Sequence, residues 1–204
     1  MWVSPFLLAL LVFALLVLLK LNYDLSQKES QLGTELTRLR RELDQARASA
    51  FDAVRDVWLR ELAGAAFNNE VEVEAKLIGP IVRFLGYGPA DYRLRVPLRL
   101  QAGRQELMGE ADWVLYRDGR PFLVIEAKAP GEALTDQVVG QARSYAFGLG
   151  APYYLVVNGR LLRLYELAVA GDRVLLEADV GSLSTVWDDL VKTVGLQRMT
   201  DQGT

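Results

Sequence analysis

The amino-acid sequence predicts an α/β (α+β) fold, a mixed β-sheet flanked by helices, which follows a transmembrane helix and a short coiled coil. Three observations support this: an apolar run near the start, a leucine heptad directly after it, and mixed helical and strand periodicities from residue 51 onward. The chain has 204 residues, enough for one ordinary domain and an accessory segment. We expect a transmembrane helix at 1–21, a coiled-coil stalk at 22–50, a domain at 51–194 and a flexible tail at 195–204.

The expected transmembrane helix depends on residues 6–19, which carry only apolar side chains. About 20 apolar residues are enough for a helix to cross a bilayer. We therefore expect an uncleaved anchor, and an unusual signal peptide is the alternative. Lysine and arginine residues follow the run. By the positive-inside rule they predict a single-pass protein of the cell membrane whose soluble domain lies in the cytoplasm.

The stalk shows a heptad repeat of apolar residues. Leu25, Leu32 and Leu39 form one series, and Leu36 and Leu43 form the other. Such a repeat predicts a short coiled coil and a possible homodimer with a second copy of the chain. A solvated helical spacer with one leucine stripe explains the pattern equally well.

The soluble domain reads as alternating helical and strand segments. Residues 92–100 alternate apolar side chains with Arg93, Arg95 and Arg99, which predicts a strand with a solvated basic face or, alternatively, a phosphate contact. Asn158-Gly159 is a strong hairpin signal. The expected helices are 51–62, 70–85, 137–147 and 183–194, and the expected strands are 92–100, 110–116, 121–128, 153–157, 161–167 and 174–178. This order predicts a mixed sheet with helices packed against it.

The composition excludes several kinds of chemistry. The chain has no cysteine and no histidine, so disulfides, thiol nucleophiles, zinc-thiolate sites and histidine-dependent triads are impossible. Carboxylate, lysine and arginine chemistry remains, and carboxylates favour hard cations such as Mg²⁺ or Mn²⁺. The net charge of −3 argues against strong, sequence-independent binding to nucleic acid.

Candidate catalytic residues lie on two neighbouring strands, at Asp112 and in Glu126-Ala127-Lys128. Glu126 and Lys128 are two residues apart and therefore point to the same face of a strand. Charged groups that end a buried strand are costly unless they have partners. Two carboxylates and a lysine could hold a divalent metal and stabilise the charge that develops during phosphodiester hydrolysis. The alternative is a surface hairpin that ends in an ordinary salt bridge.

This site requires a particular strand register. A two-residue turn at Asp118 and Gly119 would place Asp112 opposite Ile125, and Glu126 would then face the other side of the sheet. A bulge or a three-residue loop brings Asp112 and Glu126 together, and Gly119 can supply the left-handed residue of such a bulge. The sequence therefore predicts an irregularity in this hairpin.

Residues 70–167 resemble the N-terminal nuclease domain of the restriction subunit of type I restriction enzymes, a member of the PD-(D/E)xK superfamily. The resemblance depends on several motifs in the family's order. They are Glu70 on a helix, Leu77-Ile78-Gly79-Pro80, Leu85-Gly86-Tyr87, Ala111-Asp112-Trp113, Glu126-Ala127-Lys128-Ala129-Pro130 and Gln141 with Tyr145 four residues later.

This resemblance implies a restriction-endonuclease-like fold and a divalent-metal-dependent endonuclease that hydrolyses DNA with Mg²⁺ or Mn²⁺. The implied roles are Asp112 and Glu126 as metal ligands, Lys128 as catalytic lysine, Glu70 (or Glu74, one turn later) as accessory acid, and Gln141 and Tyr145 as residues bordering the site.

The chain also departs from the restriction subunit. It lacks the Gly-x-x-x-x-Gly-Lys-Ser/Thr phosphate loop, so no ATP-driven motor is expected within it, and a separate motor or specificity partner is implied. A membrane-tethered endonuclease is the leading interpretation. The alternative is a catalytically silent module of the same fold that binds nucleic acid or a protein partner at the membrane.

Overall fold

The computed structural model describes residues 5–102 and 105–196. The chain divides into two compact units, Met1–Val54 and Arg55–Thr204. Most of the first unit is formed by one long helix, α1 (Pro5–Glu61), whose last turns belong to the second unit. The second unit contains the sheet and the other helices.

In the first unit, the heptad leucines are exposed on the helix surface. Leu32 is 70% exposed, and Leu36 and Leu39 are each 52% exposed. An apolar stripe of this kind is compatible with both alternatives considered above, and the homodimer stays a prediction.

Across the part of the chain that the structure describes, no helix is long and apolar enough to cross a membrane. The predicted transmembrane helix at 1–21 is therefore not supported, and residues 1–4 of it lie outside the described residues. From residue 5 to residue 19, a helix rises only about 22 Å at ~1.5 Å per residue. Polar residues follow from Lys20 onward. The location in the cell membrane and the cytoplasmic orientation stay predictions from the sequence.

The sheet has six strands in sequential order. They are β1 (Tyr92–Ala102), β2 (Gln105–Arg117), β3 (Arg120–Ala127), β4 (Tyr153–Val157), β5 (Leu161–Glu166) and β6 (Arg173–Asp179). β3 and β4 pair in parallel, and every other neighbouring pair is antiparallel. Parallel neighbours need a crossover, because a tight turn cannot join them. Helix α4 (Asp136–Leu149) supplies it, so the expected mixed sheet with flanking helices is confirmed.

The remaining helices are short. They are α2 (Glu70–Val73), a π-helical turn (Glu74–Ile78), α3 (Gly79–Phe84) and α5 (Trp187–Val194), with 3₁₀ turns at Leu62–Gly64 and Val180–Thr185. The predicted helix at 183–194 is thus shorter, because a 3₁₀ turn forms its beginning. At the predicted tail, the backbone N–H of Leu196 donates to the carbonyl of Leu85 at 2.7 Å; residues 197–204 lie outside the described residues.

Two apolar cores explain why β3 reads as an almost unbroken apolar run. Leu123 and Ile125 belong to a core that also includes residues of α2, α3 and α5, whereas Val124 belongs to a second core with residues of α4. Successive side chains of a strand point to opposite faces. β3 is therefore covered on both faces, as expected for a central strand in a sheet with parallel pairing.

The predicted helix at 70–85 is interrupted by its π-helical turn. Pro80 has no backbone N–H, so the carbonyl of Lys76, four residues earlier, loses its usual donor. The indole Nε1 of Trp58 donates to that carbonyl at 3.3 Å. The interruption begins at Glu74, and single π-helical turns of this kind are frequent at functional sites.

Candidate functional site

The β2–β3 hairpin has the irregularity that the sequence predicts. Asp118 and Gly119 have positive φ angles of 49° and 74° and form a two-residue turn between the paired Arg117 and Arg120. Farther along, the register shifts, because Tyr116 pairs with Pro121 while Leu115 pairs with Leu123.

The extra residue of this bulge is therefore on β3, at Phe122. Its neighbour Pro121 cannot donate a ladder hydrogen bond, which explains why the pairing breaks there and not at Gly119. After the shift Trp113 lies opposite Ile125, and one step further along the same register Asp112 lies across from Glu126.

Asp112, Glu126 and Lys128 come together where β3 ends. Glu126 is 2% exposed and Asp112 is 7% exposed. The Nζ of Lys128 donates to Oε1 of Glu126 at 2.7 Å, and the backbone N–H of Ala127 donates to Oδ2 of Asp112 at 2.9 Å. The backbone N–H of Lys128 donates to the carbonyl of Val157 on β4 at 2.8 Å. The lysine is thus fixed beside the acids by continued pairing with β4.

The charges and hydrogen bonds of this cluster leave one carboxylate oxygen free to bind a cation. Burial raises the pKa of Glu126 to about 7; the negative charge of Asp112 adds to this, and Lys128 opposes it. The second oxygen of Glu126, Oε2, is buried without a hydrogen-bond partner among the described residues. A buried polar atom without a partner is costly and calls for an explanation such as a ligand.

Lys128 keeps its proton at neutral pH. Burial works to lower its pKa, but the hydrogen bond to Glu126 and the charges of Glu126, Asp112 and Glu70 outweigh it, so the pKa is raised. A protonated lysine next to a carboxylate is a donor that can stabilise negative charge on a phosphate.

The two candidate accessory acids have different surroundings. Partial burial raises the pKa of Glu70, with a further contribution from Asp112 and an opposing one from Lys128. Glu70 is thus electrostatically coupled to the cluster. Glu74 instead accepts hydrogen bonds from the guanidinium of Arg95 and, at 3.1 Å, from Nε1 of Trp113. These environments favour Glu70 as the accessory acid, which stays a prediction.

Arg95 has a role that the strand pattern does not reveal. Its side chain is 46% exposed, as the predicted basic face requires, but its guanidinium also forms ion pairs with Asp112 and Glu74. Its φ is 51°, in the left-handed region that residues other than glycine rarely adopt. The neighbouring Arg93 remains exposed. Strand periodicity alone could not reveal this, because it assumes extended backbone at every position.

Gln141 and Tyr145 form a pair on α4. The amide Nε2 of Gln141 donates to the Tyr145 hydroxyl at 2.9 Å. The ring of Tyr145 lies so close to Gly109 on β2 that a Cβ at this glycine would be 2.6 Å from Cε1. Within the described ranges, no hydrogen bond joins this pair to the acids or to Lys128. Their part in the site stays a prediction.

The donor set fits a hard divalent cation held by few protein ligands. Among the described residues, no group of three or more acidic side chains is arranged to hold a metal. Asp112 and Glu126 together provide two carboxylates, one of which has a buried oxygen with no partner. Mg²⁺ is commonly bound by one or two carboxylates, with water and phosphate completing its shell.

A family model agrees with the resemblance described above. The family model of the type I restriction enzyme R protein N terminus matches residues 69–174. A solved fragment assigned to the HsdR subunit of a type I restriction enzyme from Vibrio vulnificus YJ016 is 21% identical, with a TM-score of 0.41; the match covers 66% of this chain and 27% of that chain. No curated protein matches. Because the family model covers more than half of the 204 residues, this chain belongs to the family of the type I restriction enzyme R protein N terminus.

Proposed function

We propose that this chain contains a divalent-metal-dependent endonuclease domain that hydrolyses DNA phosphodiester bonds. The proposal depends mainly on the environment of Glu126. It is buried at the end of β3, one oxygen is held by Lys128 and the other has no partner among the described residues. Asp112 lies across from it. Family membership supports the same function, since the family is named for a restriction enzyme subunit.

Asp112 and Glu126 would hold the cation, Mg²⁺ or Mn²⁺. Such a cation polarises a phosphate oxygen and lowers the pKa of a bound water. The chain's own contribution is positional: Ala127 orients Asp112 through its backbone N–H, and Lys128 orients Glu126. Lys128 would donate to a non-bridging phosphate oxygen as charge develops there.

Other residues would position DNA around this centre. Glu70 on α2, with its raised pKa, would be the accessory acid. Gln141 and Tyr145 would exchange their mutual hydrogen bond for contacts with the phosphate backbone. The chain has no phosphate loop, so any motor or specificity function would come from a partner outside this sequence.

A second candidate is a binding module that has kept the fold without catalysis. The observation favouring it is the net charge of −3, which limits autonomous affinity for DNA. A protein partner or a DNA-bound complex would then bring the module to its target.

A cleavage assay with the full chain distinguishes the two candidates. Plasmid and linear DNA would be incubated with Mg²⁺ or Mn²⁺ and with wild type, Glu126→Gln or Lys128→Ala. Glu177→Gln is the matched control, because Glu177 is an acid on β6 whose partner is Arg163. We expect metal-dependent cleavage by wild type and the control, and none by the two site variants. Equal cleavage by all four proteins would reject the proposed site.

A further inference from the structure

Arg95 occupies an unusual position for a residue of a first strand. Its guanidinium forms ion pairs with Asp112 on β2 and with Glu74 on the π-helical turn. The two acid side chains are 9% and 13% exposed, whereas the Arg95 side chain is 46% exposed. The two acids are thus largely buried, and the guanidinium of Arg95 reaches them from the solvent side.

The backbone of β1 is distorted at Arg95, whose φ is 51°. The pairs on either side, Leu94 with Trp113 and Val96 with Ala111, keep the same register, which places Arg95 across from Asp112. A non-glycine residue persists in the left-handed region only when its surroundings hold it there. The contacts that hold the end of this side chain are the two ion pairs with Asp112 and Glu74.

The acidic side chains around Arg95 explain why a positive group is needed there. Asp112, Glu126, Glu70 and Glu74 are four carboxylates drawn to one end of the sheet. Lys128 forms an ion pair with Glu126. Arg95 forms ion pairs with the other strand acid, Asp112, and with Glu74. Like charges held together without counter-ions destabilise a fold, particularly where they are partly buried.

We propose that Arg95 is the internal counter-ion of this site, which a divalent cation displaces from Asp112 on binding. This inference depends on the proposed function, because it presupposes that Asp112 is a metal ligand. A divalent cation at Asp112 both competes for the carboxylate and repels the guanidinium. Arg95 can swing outward because its side chain is half-exposed, and a DNA phosphate is the anion with which its planar guanidinium pairs best.

Two consequences follow for binding. Without DNA, the wild-type chain binds the metal more weakly than a chain that lacks this competitor. With DNA, the displaced guanidinium gains a new partner, so metal and DNA strengthen each other's binding, as linkage requires. Arg95 would thereby limit metal loading in the absence of DNA.

The test is Mn²⁺ binding to the full chain, measured by titration calorimetry without DNA. Arg95→Gln should bind Mn²⁺ at least about fivefold more tightly than wild type, the lower end of typical coupling between sites. Arg95→Lys should resemble wild type because it keeps the charge. Arg93→Gln is the matched control, since Arg93 lies on the same strand and its guanidinium donates to the backbone carbonyls of Ala90 and Tyr92 and not to an acid of the site.

The outcomes separate this inference from the proposed function. Equal Mn²⁺ affinity of wild type and Arg95→Gln would overturn the counter-ion role and leave the metal site standing. No Mn²⁺ binding by either protein would overturn both.

A second measurement covers the possibility that Arg95→Gln does not fold. It follows the side-chain Nε–H NMR signal of Arg95 in wild type during a Mg²⁺ titration, assigned by its loss in Arg95→Lys. The signal should shift to that of a solvated guanidinium as the site fills. A signal unchanged at saturating Mg²⁺ contradicts displacement.

Discussion

Asp172 and Glu126 are both carboxylates with low exposure and a basic partner, but their surroundings differ. Asp172 accepts hydrogen bonds from Arg143 at 2.8 Å, from the Tyr154 hydroxyl at 2.6 Å and from the backbone N–H of Ala168 at 3.2 Å. Both of its oxygens are occupied. Glu126 has one oxygen on Lys128 and one with no partner among the described residues.

The pKa values follow this difference. Burial works to raise the pKa of Asp172, but the hydrogen bonds of Tyr154 and Ala168 and the charge of Arg143 outweigh it, so the pKa is lowered. For Glu126, burial dominates and the pKa rises to about 7. The polar atoms of Asp172 are thus satisfied within the fold, whereas Glu126 carries a desolvation cost that the proposed role as a metal ligand would explain.

The largest expected effect separates these two acids. Glu126→Gln should reduce DNA cleavage by at least about a thousandfold, because a metal ligand is lost. Its melting temperature should change little, because the desolvation cost of the buried carboxylate disappears while Lys128 loses its ion-pair partner. Asp172→Asn should leave cleavage within about twofold and lower the free energy of unfolding by about 1–3 kcal/mol, because it disturbs a satisfied network. Cleavage assays and urea unfolding of both variants check this. Loss of cleavage in Asp172→Asn with an intact fold would break the comparison.

The basic partners should differ in the same direction. Lys128→Met should reduce cleavage by about a hundredfold or more through the loss of a positioned donor and should also destabilise the fold, because Glu126 loses its counter-ion. Arg143→Met should cost less than about 1 kcal/mol, since Arg143 is 44% exposed, and should not affect cleavage. Thermal unfolding in low salt and single-turnover cleavage measure both. Equal loss of stability in the two variants would mean that Lys128 contributes no more than Arg143 to the free energy of unfolding.

The acid limb of stability should report on Asp172. Because its folded-state pKa is lowered, its contribution is present above the unfolded pKa of about 3.9 and is lost as the pH falls through the lower folded value. The difference in free energy of unfolding between wild type and Asp172→Asn should therefore be full at pH 6 and shrink below pH of about 4. Urea unfolding from pH 6 to pH 2.5 measures it. A difference that grows in acid contradicts the assignment.

The smallest expected effects concern two tyrosines. Tyr154→Phe removes a donor to Asp172 and should lower the free energy of unfolding by about 1 kcal/mol without changing cleavage. Tyr145→Phe removes the acceptor of Gln141 and should change stability by less, about 0.5 kcal/mol, while cleavage falls by roughly tenfold if this pair positions DNA. Parallel unfolding and cleavage measurements decide it, and unchanged cleavage in Tyr145→Phe would remove the pair from the site.

Much of this site could be predicted from the sequence, because strand pairing is governed by simple rules. Asp112 and Glu126 can lie opposite each other only in an irregular hairpin. Because the turn at Asp118-Gly119 has two residues, the irregularity must be a bulge. Only the position of the bulge, at Phe122, was not predicted. Pro121 indicates this position, because it has no backbone N–H to donate to the neighbouring strand.

Arg95 could not be predicted in the same way. Its left-handed backbone and its two ion pairs depend on contacts among β1, β2 and the π-helical turn, and no local pattern encodes them. The π-helical turn itself had a signal, in Pro80, but the donor that stabilises it comes from Trp58 on α1. The predicted transmembrane helix is not supported for another reason. The apolar run covers only residues 6–19, and the predicted span of 1–21 also counts the residues on both sides of it.

The central claim is that Asp112 and Glu126 share one divalent cation. The most direct test is a crystal of the full chain grown with Mn²⁺, with anomalous diffraction collected near the manganese absorption edge. We expect an anomalous peak within bonding distance of both carboxylates, with Arg95 withdrawn from Asp112. A crystal with Mn²⁺ in excess, both carboxylates well ordered and no anomalous peak between them would contradict it.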